Sequence, residues 1–200
     1  MTQSTTATPI TTAAGFTQHS FDAFLQSRAE PDWLRELRVA AWRKFGELPM
    51  PGRQDEEWMR TDIRTLRLDR FGLAPEPPAD APVPPGLLTE GVELAGQTIA
   101  LDSHSLSERV DPKLAAKGVL FGSLDRLACE HPEIVRPHLF RAIQPGIDKF
   151  AALHGAWWSG GTLLYVPQGV VIKEPLHMLS ALSAGAADLG HTLVILEDGA

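Results

Sequence analysis

The stretch "GGTLLYVPQGVVIKEPLHMLSALSAG", residues 160–185, decides the fold. It breaks into short apolar segments at 163–166, 170–172 and 176–182, divided by Pro167-Gln168-Gly169 and Glu174-Pro175, and a fourth at 192–196 follows a Gly/Ala-rich loop at 184–190. Runs of this length, rich in Val, Ile and Leu and bounded by Pro and Gly, predict strands. The run "LVIL", 193–196, is apolar on both faces and calls for cover on both, whereas a meander with one wet face would alternate more cleanly. A right-handed parallel β-helix, whose coils turn at Gly and Pro and stack on one another, accounts for the pattern, although no exact repeat is visible. Gly160-Gly161 lacks the lysine and the strand-to-helix setting of a phosphate loop and reads as a turn ahead of the first strand.

Upstream, residues 16–48 look helical. Ser20 is placed to cap a helix carrying Phe21, Phe24 and Leu25, and Pro31 suits the first turn of a second, with Asp32 near its positive end. In that second helix Trp33, Leu34, Leu37, Ala41 and Phe45 recur at three- and four-residue steps beside Trp42, while Arg35, Glu36, Arg38, Arg43 and Lys44 fall largely elsewhere. Pro49 and Pro51 end it. The stripe reads as core-facing, with docking to a partner helix as the alternative. Residues 51–68 form an exposed segment with one Trp among charges. Six of the eleven residues from Pro75 to Pro85 are proline, which makes a stiff, extended linker. Beyond it, 92–94 and 99–101 read as strands; Ser123 caps a helix to about Glu130, and His131-Pro132 introduces another to about Phe140.

The resulting division is a disordered tail at 1–15, a helical segment at 16–73, the linker at 74–86, the rest of an α+β domain at 87–156, and the start of the β-helix at 157–200. The tail is Thr- and Ala-rich with neither Lys nor Arg, so it lacks the marks of a transit peptide or a secretory signal. No run approaches the roughly 18 apolar residues of a membrane helix. A formal charge of −7 argues against nucleic acid and an anionic membrane as partners, since both select basic faces. Ten of the eighteen Lys and Arg lie between Arg28 and Arg70, offset by nine acids, so that segment is a mixed-charge surface.

Cys129 is the single cysteine, which excludes an internal disulfide and a Cys-based zinc site made by this chain alone. That fits a reducing compartment, and the expectation is cytoplasmic. Flanked by Leu127 and Ala128 on a predicted helix, Cys129 reads as a buried small hydrophobe, with metal ligand or nucleophile as the sharper alternative. Histidines at 19, 104, 131, 138, 154, 177 and 191 form no metal-binding spacing. His177 lies within a strand and shares a face with Leu179; it reads as a hydrogen-bonded structural imidazole. Asp55, Glu56 and Glu57 read as a solvated face, and Trp157-Trp158 as a packing wedge between a helical region and a sheet. No catalytic or metal-binding constellation is visible.

Two stretches carry a family resemblance. "LPMPGRQDEEWMRTDI", residues 48–63, and "DKFAALHGAWWSGGTLLYVPQGVVIKEPLH", residues 148–177, resemble the SufB/SufD family of iron-sulfur cluster assembly proteins, and the resemblance spans about residues 20–200. The Asp-Glu-Glu-Trp segment, "EHPEIVRPHL" and "KEPLH" tip it toward the SufD branch. The resemblance implies an amino-terminal helical domain, a right-handed parallel β-helix and a later helical domain that binds the SufC ATPase. This chain then corresponds to an amino-terminal portion with an incomplete β-helix, ending before the SufC-binding part. The implied role is a non-enzymatic scaffold subunit acting with SufB and SufC, and ATP hydrolysis belongs to SufC. A nascent iron-sulfur cluster, and a flavin, belong only to the full complex; no site residue carries over to this chain. Two other readings stand beside it: a β-helix enzyme acting on polysaccharide or acyl groups, and a free-standing interaction module using the helix at 32–48.

Overall fold

The computed structural model describes residues 15–78, 80–83, 91–183 and 185–200. Along them lie helices α1 (Gln18–Ser27), α2 (Asp32–Glu47), α3 (Pro112–Ala115), α4 (Leu124–Glu130), α5 (Pro132–Val135) and α6 (Lys149–Trp157). The strands are β1 (Gly96–Leu101), β2 (His104–Val110), β3 (Leu120–Ser123), β4 (Gly160–Val166), β5 (Leu176–Ala181) and β6 (Gly190–Leu196). The expected tail up to residue 14, and Ala79 and residues 84–86 of the expected linker, lie outside the described residues.

The cap of α1 is Thr17, not Ser20. Ser20 N donates to the Thr17 hydroxyl at 3.2 Å and Thr17 N donates to Ser20 Oγ at 2.9 Å, so Ser20 is the returning partner of a capping box. Helix α2 starts after Pro31 with Asp32 in its first turn. At its other end Lys149 donates to the Phe45 and Leu48 carbonyls, 2.7 Å each, satisfying acceptors that the last helical turn leaves open. Next to it Asp148 caps α6 by accepting from Ala151 N at 2.7 Å. The two helices are thus joined end to start, and they pack on each other along the α2 stripe. Phe21, Leu25, Ala41, Leu153, Ala156 and Trp157 form the core between α1, α2 and α6.

The strands form two mixed three-stranded sheets, ordered β2-β1-β5 and β3-β4-β6. In each, one neighbour of the central strand is antiparallel and the other parallel. The β1–β2 hairpin turns on Asp102 and Ser103, with φ of 52° and 70°. Two successive left-handed residues suit the twist of a two-residue hairpin but carry a steric cost without glycine. Side-chain bonds hold the turn: Ser183 donates to the Asp102 carboxylate from its N at 2.6 Å and its Oγ at 2.7 Å, and Ser103 Oγ donates to Asp188.

The parallel pair β4·β6 runs in register from Gly160↔Gly190 to Val166↔Leu196, so the chain returns to the same sheet after thirty residues. Between the two passes it contributes β5 to the other sheet. The fold is therefore α+β, with the β3-β4-β6 sheet between a helical layer and the second sheet. Leu163, Leu193 and Ile195 face the helices and pack with Leu34, Leu124, Leu127, Val135 and Trp158. Leu164 and Val166, on the other face, pack with Ala95, Leu114, Val119 and Leu176. Thr98 Oγ1 and Thr162 Oγ1 lie 3.2 Å apart and bridge the two sheets.

Several expected elements differ. Residues 92–94 and 170–172 are irregular, because neither run finds a ladder partner; Val170 and Ile172 still pack on the inter-sheet core as the chain crosses between sheets. Gly160 and Gly161 begin β4 instead of forming a turn. A Cβ on Gly160 would overlap the Ser103 carbonyl oxygen, and Gly161 has φ 136° with a Cβ that would overlap the His191 carbonyl oxygen. Glycine is needed there for close backbone approach. The helix expected to reach Phe140 stops at Val135, and Phe140 itself takes φ 56°.

Candidate functional site

The most heavily built polar centre lies where α2 meets the start of β4. Arg38 occupies the line Leu34, Arg38, Ala41 on α2 and is fully buried, although its charge suggests the solvent side. Its guanidinium donates to both Glu30 oxygens at 2.7 Å, to the Trp158 carbonyl at 2.7 Å and to the Ala156 carbonyl at 3.2 Å. It also lies over the Trp158 ring, 4.5 Å from the centroid, and the Phe24 ring, 5.0 Å away. Burial lowers the Arg38 pKa, and the paired Glu30 works the other way. Burial alone would raise the Glu30 carboxyl, but its hydrogen bonds and charge contacts with Arg38 and Arg28 hold it below the usual carboxylate value. This is a structural clamp: each guanidinium nitrogen is bonded to the protein.

Arg28 extends the clamp into a cleft of about 590 Å³ bordered by Arg126, Asp125, His104 and Cys129. Arg28 bonds Glu30 at 2.5 Å, the Ser159 carbonyl at 3.3 Å and Asp125 at 3.4 Å. Cys129 is exposed at this rim, not buried as expected, because Leu124, Leu127 and Ala128 take the inner face of α4 and leave the next position outside. Its thiol pKa is raised, first by partial burial and then by Glu30 and Asp125. A thiol so placed is a poor nucleophile and a poor thiolate ligand.

A second polar cluster joins the β5–β6 connection to the β1–β2 turn. Asp188 accepts from Ser103, from Ser180 Oγ at 2.9 Å and from Gly190 N at 2.8 Å, and Ser159 Oγ donates to Ser103 Oγ at 2.8 Å. Beside it, His154 on α6 and His191 on β6 approach at 3.0 Å, Nε2 to Nδ1, against the Phe140 ring. Burial lowers both pKa values, and His191 and Arg38 add to the effect at His154, which is brought down to about 4. Burial thus favours the neutral imidazole at both positions.

The remaining residues singled out by sequence are dispersed. His177 Nδ1 lies 3.2 Å from Gln97 Nε2, its partner across β1·β5, in keeping with a structural imidazole. Trp157 sits among Phe16, Phe21, Phe24 and Trp42, and Trp158 has no exposed surface, so both act as packing wedges. Glu56 and Glu57 are exposed, and Asp55 accepts from Gly52 N at 2.7 Å. Among the described residues no three His, Cys, Asp or Glu side chains are grouped to hold a metal ion, and no helix is long and apolar enough to cross a membrane. Sequence reading missed Arg38 and the His154–His191 pair. Arg38 was traceable, standing four residues after Leu34 and three before Ala41; the histidine pair is 37 residues apart and left no local signal.

These features define a class: an α+β domain in which parallel strands return between two sheets under a helical cover, with most buried polar groups spent on joining the layers. Residues 19–178 match the family described as SufBD protein N-terminal region, and the chain belongs to the SufBD family. It is 27% identical over 202 aligned residues to the iron-sulfur cluster assembly protein SufB of Bacillus subtilis (strain 168), covering 93% of this chain and 42% of that protein. It is 26% identical, with the same coverage, to an iron-sulfur cluster assembly SufBD family protein of Staphylococcus haemolyticus. The chain thus spans about two fifths of the length of these relatives.

Proposed function

We propose that this chain serves as part of a scaffold for iron-sulfur cluster assembly, itself non-catalytic, in a cytoplasmic complex with SufB and the SufC ATPase. Family membership over residues 19–178 carries the reading, and the printed names of the relatives support it. We further infer that the strands from β4 onward open a right-handed parallel β-helix. The thirty-residue parallel return of β4 to β6, by way of β5 in the facing sheet, supports that inference. So do Met178, Val194 and Leu196 at 49%, 52% and 60% exposure. Met178 pairs with Thr98, and Val194 and Leu196 pair with Leu164 and Val166, so all three lie on the faces that the two sheets turn toward each other. Those faces call for cover by a further coil. On this reading 16–73 and 87–156 are the helical and mixed parts of the amino-terminal domain, joined by the linker at 74–86, and 157–200 starts the core.

We assign the nascent cluster, as cargo, and any flavin to the assembled complex. The Asp-Glu-Glu-Trp segment supports the SufD branch; set against this, one relative bears the SufB name. Expression of the complete gene from its chromosomal locus, with affinity purification, tests the role: SufB and SufC should co-purify, and recovery without either sinks it. Complementation of separate SufD and SufB null strains decides the branch. Growth restored only in the SufB null would assign the chain to the other sibling.

A further inference from the structure

The Asp-Glu-Glu-Trp segment has no part in the two polar centres described above. Its backbone winds through successive turns, with Asp55 N bonded to the Gly52 carbonyl, Trp58 N to the Asp55 carbonyl and Thr61 N to the Trp58 carbonyl, at 2.9–3.1 Å. These turns lay Trp58 on Phe150 of α6, with ring centroids 5.1 Å apart and planes at 27°. The result is an open cleft of about 290 Å³ whose apolar walls are Pro49, Pro51, Trp58 and Ile147. Met50, between the two prolines, is 40% exposed and Ile147 is 63% exposed, so the apolar surface continues out of the cleft. That volume suits one inserted side chain, with flanking residues lying on the exposed rim.

The rim is acidic. Asp55, Glu57 and Asp148 border the cleft, and Lys149 is the lone cation there among the described residues. Lys149 forms no ion pair with them: its ammonium donates to the Phe45 and Leu48 carbonyls and lies 4.4 Å from the Phe45 ring centroid, and its single charge is outnumbered by the three carboxylates. Asp55 and Asp148 are half-buried, and each accepts from a backbone N–H, at Gly52 and Ala151, with no ion pair to a Lys or Arg among the described residues. Glu57 makes no ion pair or side-chain hydrogen bond among the described residues, and Arg53 turns to Asp62 at 3.4 Å. An apolar slot with an acidic excess at its rim complements an apolar side chain with a Lys or Arg beside it.

We propose that this cleft docks a polypeptide segment of a partner protein, inserting an aliphatic or aromatic side chain against Trp58 and pairing an adjacent Lys or Arg with Glu57, Asp55 and Asp148. The inference does not depend on the scaffold reading. A random peptide library displayed on phage, panned on the full chain, tests it. Enriched peptides should combine a large apolar residue with a neighbouring Lys or Arg, and their affinity should fall as salt rises. Trp58→Ala should weaken the best peptide by about thirtyfold. Because that variant disturbs the local turns, Glu57→Lys is the second arm: its side chain is exposed, and reversal should weaken binding by roughly threefold or more. Enriched peptides without basic residues, equal affinity for Glu57→Lys, or no enrichment above an unrelated acidic protein would each overturn the proposal.

Discussion

The two faces of the β3-β4-β6 sheet make an instructive contrast. Toward the helices, Leu163 has no exposed surface and Ile195 only 7%. Toward the other sheet, Leu164 and Val166 are sheltered, but one strand further out Val194 and Leu196 are more than half exposed. The same strand, β6, is therefore packed on one side and bare on the other, and its two-sided apolar sequence is answered on one side within the chain. The difference lies in the cover: α2, α4 and α5 close one face of the sheet, while the outer strand of the other face stays open among the described residues.

The largest expected break on the closed side is Arg38→Ala. It removes two of the bonds that hold the buried Glu30 carboxylate, leaving Arg28 as its ion-pair partner, and takes the guanidinium from the Ala156 and Trp158 carbonyls, so a loss of about 3–5 kcal/mol is expected in urea melts. Leu163→Ala, which opens a cavity between the sheet and α4, should cost about 2–5 kcal/mol. Val194→Ala, at the bare position, should cost under about 1 kcal/mol by the same measurement, because little burial is lost. Equal costs for the Leu163 and Val194 variants would erase the contrast.

A smaller effect is expected from pH. The His154 pKa is brought down from 6.5 to about 4, so the unfolded chain takes up a proton there before the folded one does. This contribution is fully present above about pH 6.5 and is lost as pH falls toward 4. The lowered carboxyl pKa values of Glu30 and Glu108 act lower still, below the ordinary glutamate value of 4.5. Between pH 7 and 5 the urea midpoint should fall, and His154→Gln should flatten part of that fall; an unchanged slope would remove the histidine pair as its source. The smallest effect on folding, with the clearest one on solubility, is expected of Val194→Lys. A charge on the bare edge should reduce light scattering at high protein concentration while leaving the melt nearly unmoved.

Parts of this were legible in the sequence. Ser123 as the cap of α4, the bounds of α2 and β5 to within a residue, and the end of β6 followed from cap chemistry, helical periodicity and Pro/Gly punctuation, while β6 begins two residues earlier than read, at Gly190. β2 was hidden, because "HSLSERV" offers few apolar residues and the turn before it uses Asp102-Ser103 where a glycine pair would have announced a hairpin. The run 170–172 has strand composition but no neighbouring strand, which only tertiary placement reveals. At the cleft, the acids of residues 55–57 and Trp58 were visible as a charged stretch with one aromatic. That Trp58 would lie on Phe150 depended on where Lys149 ties α6 to the end of α2.

The thirty-residue spacing of β4 and β6 also constrains how length can vary. Each residue of β4 has its neighbour in β6 set by register, so a deletion within either strand would slide one face past the other, turning packed side chains outward. The corner at 167–169 continues that register, with Gly169 N donating to the Asp198 carbonyl at 3.1 Å, and Ser183 and Asp188 tie the β5–β6 connection to the β1–β2 turn. Insertions during divergence should therefore collect outside both places, as in the exposed stretch 141–144 ahead of α6, and an epitope tag placed after Ile143 should be tolerated where the same tag after Leu164 would not.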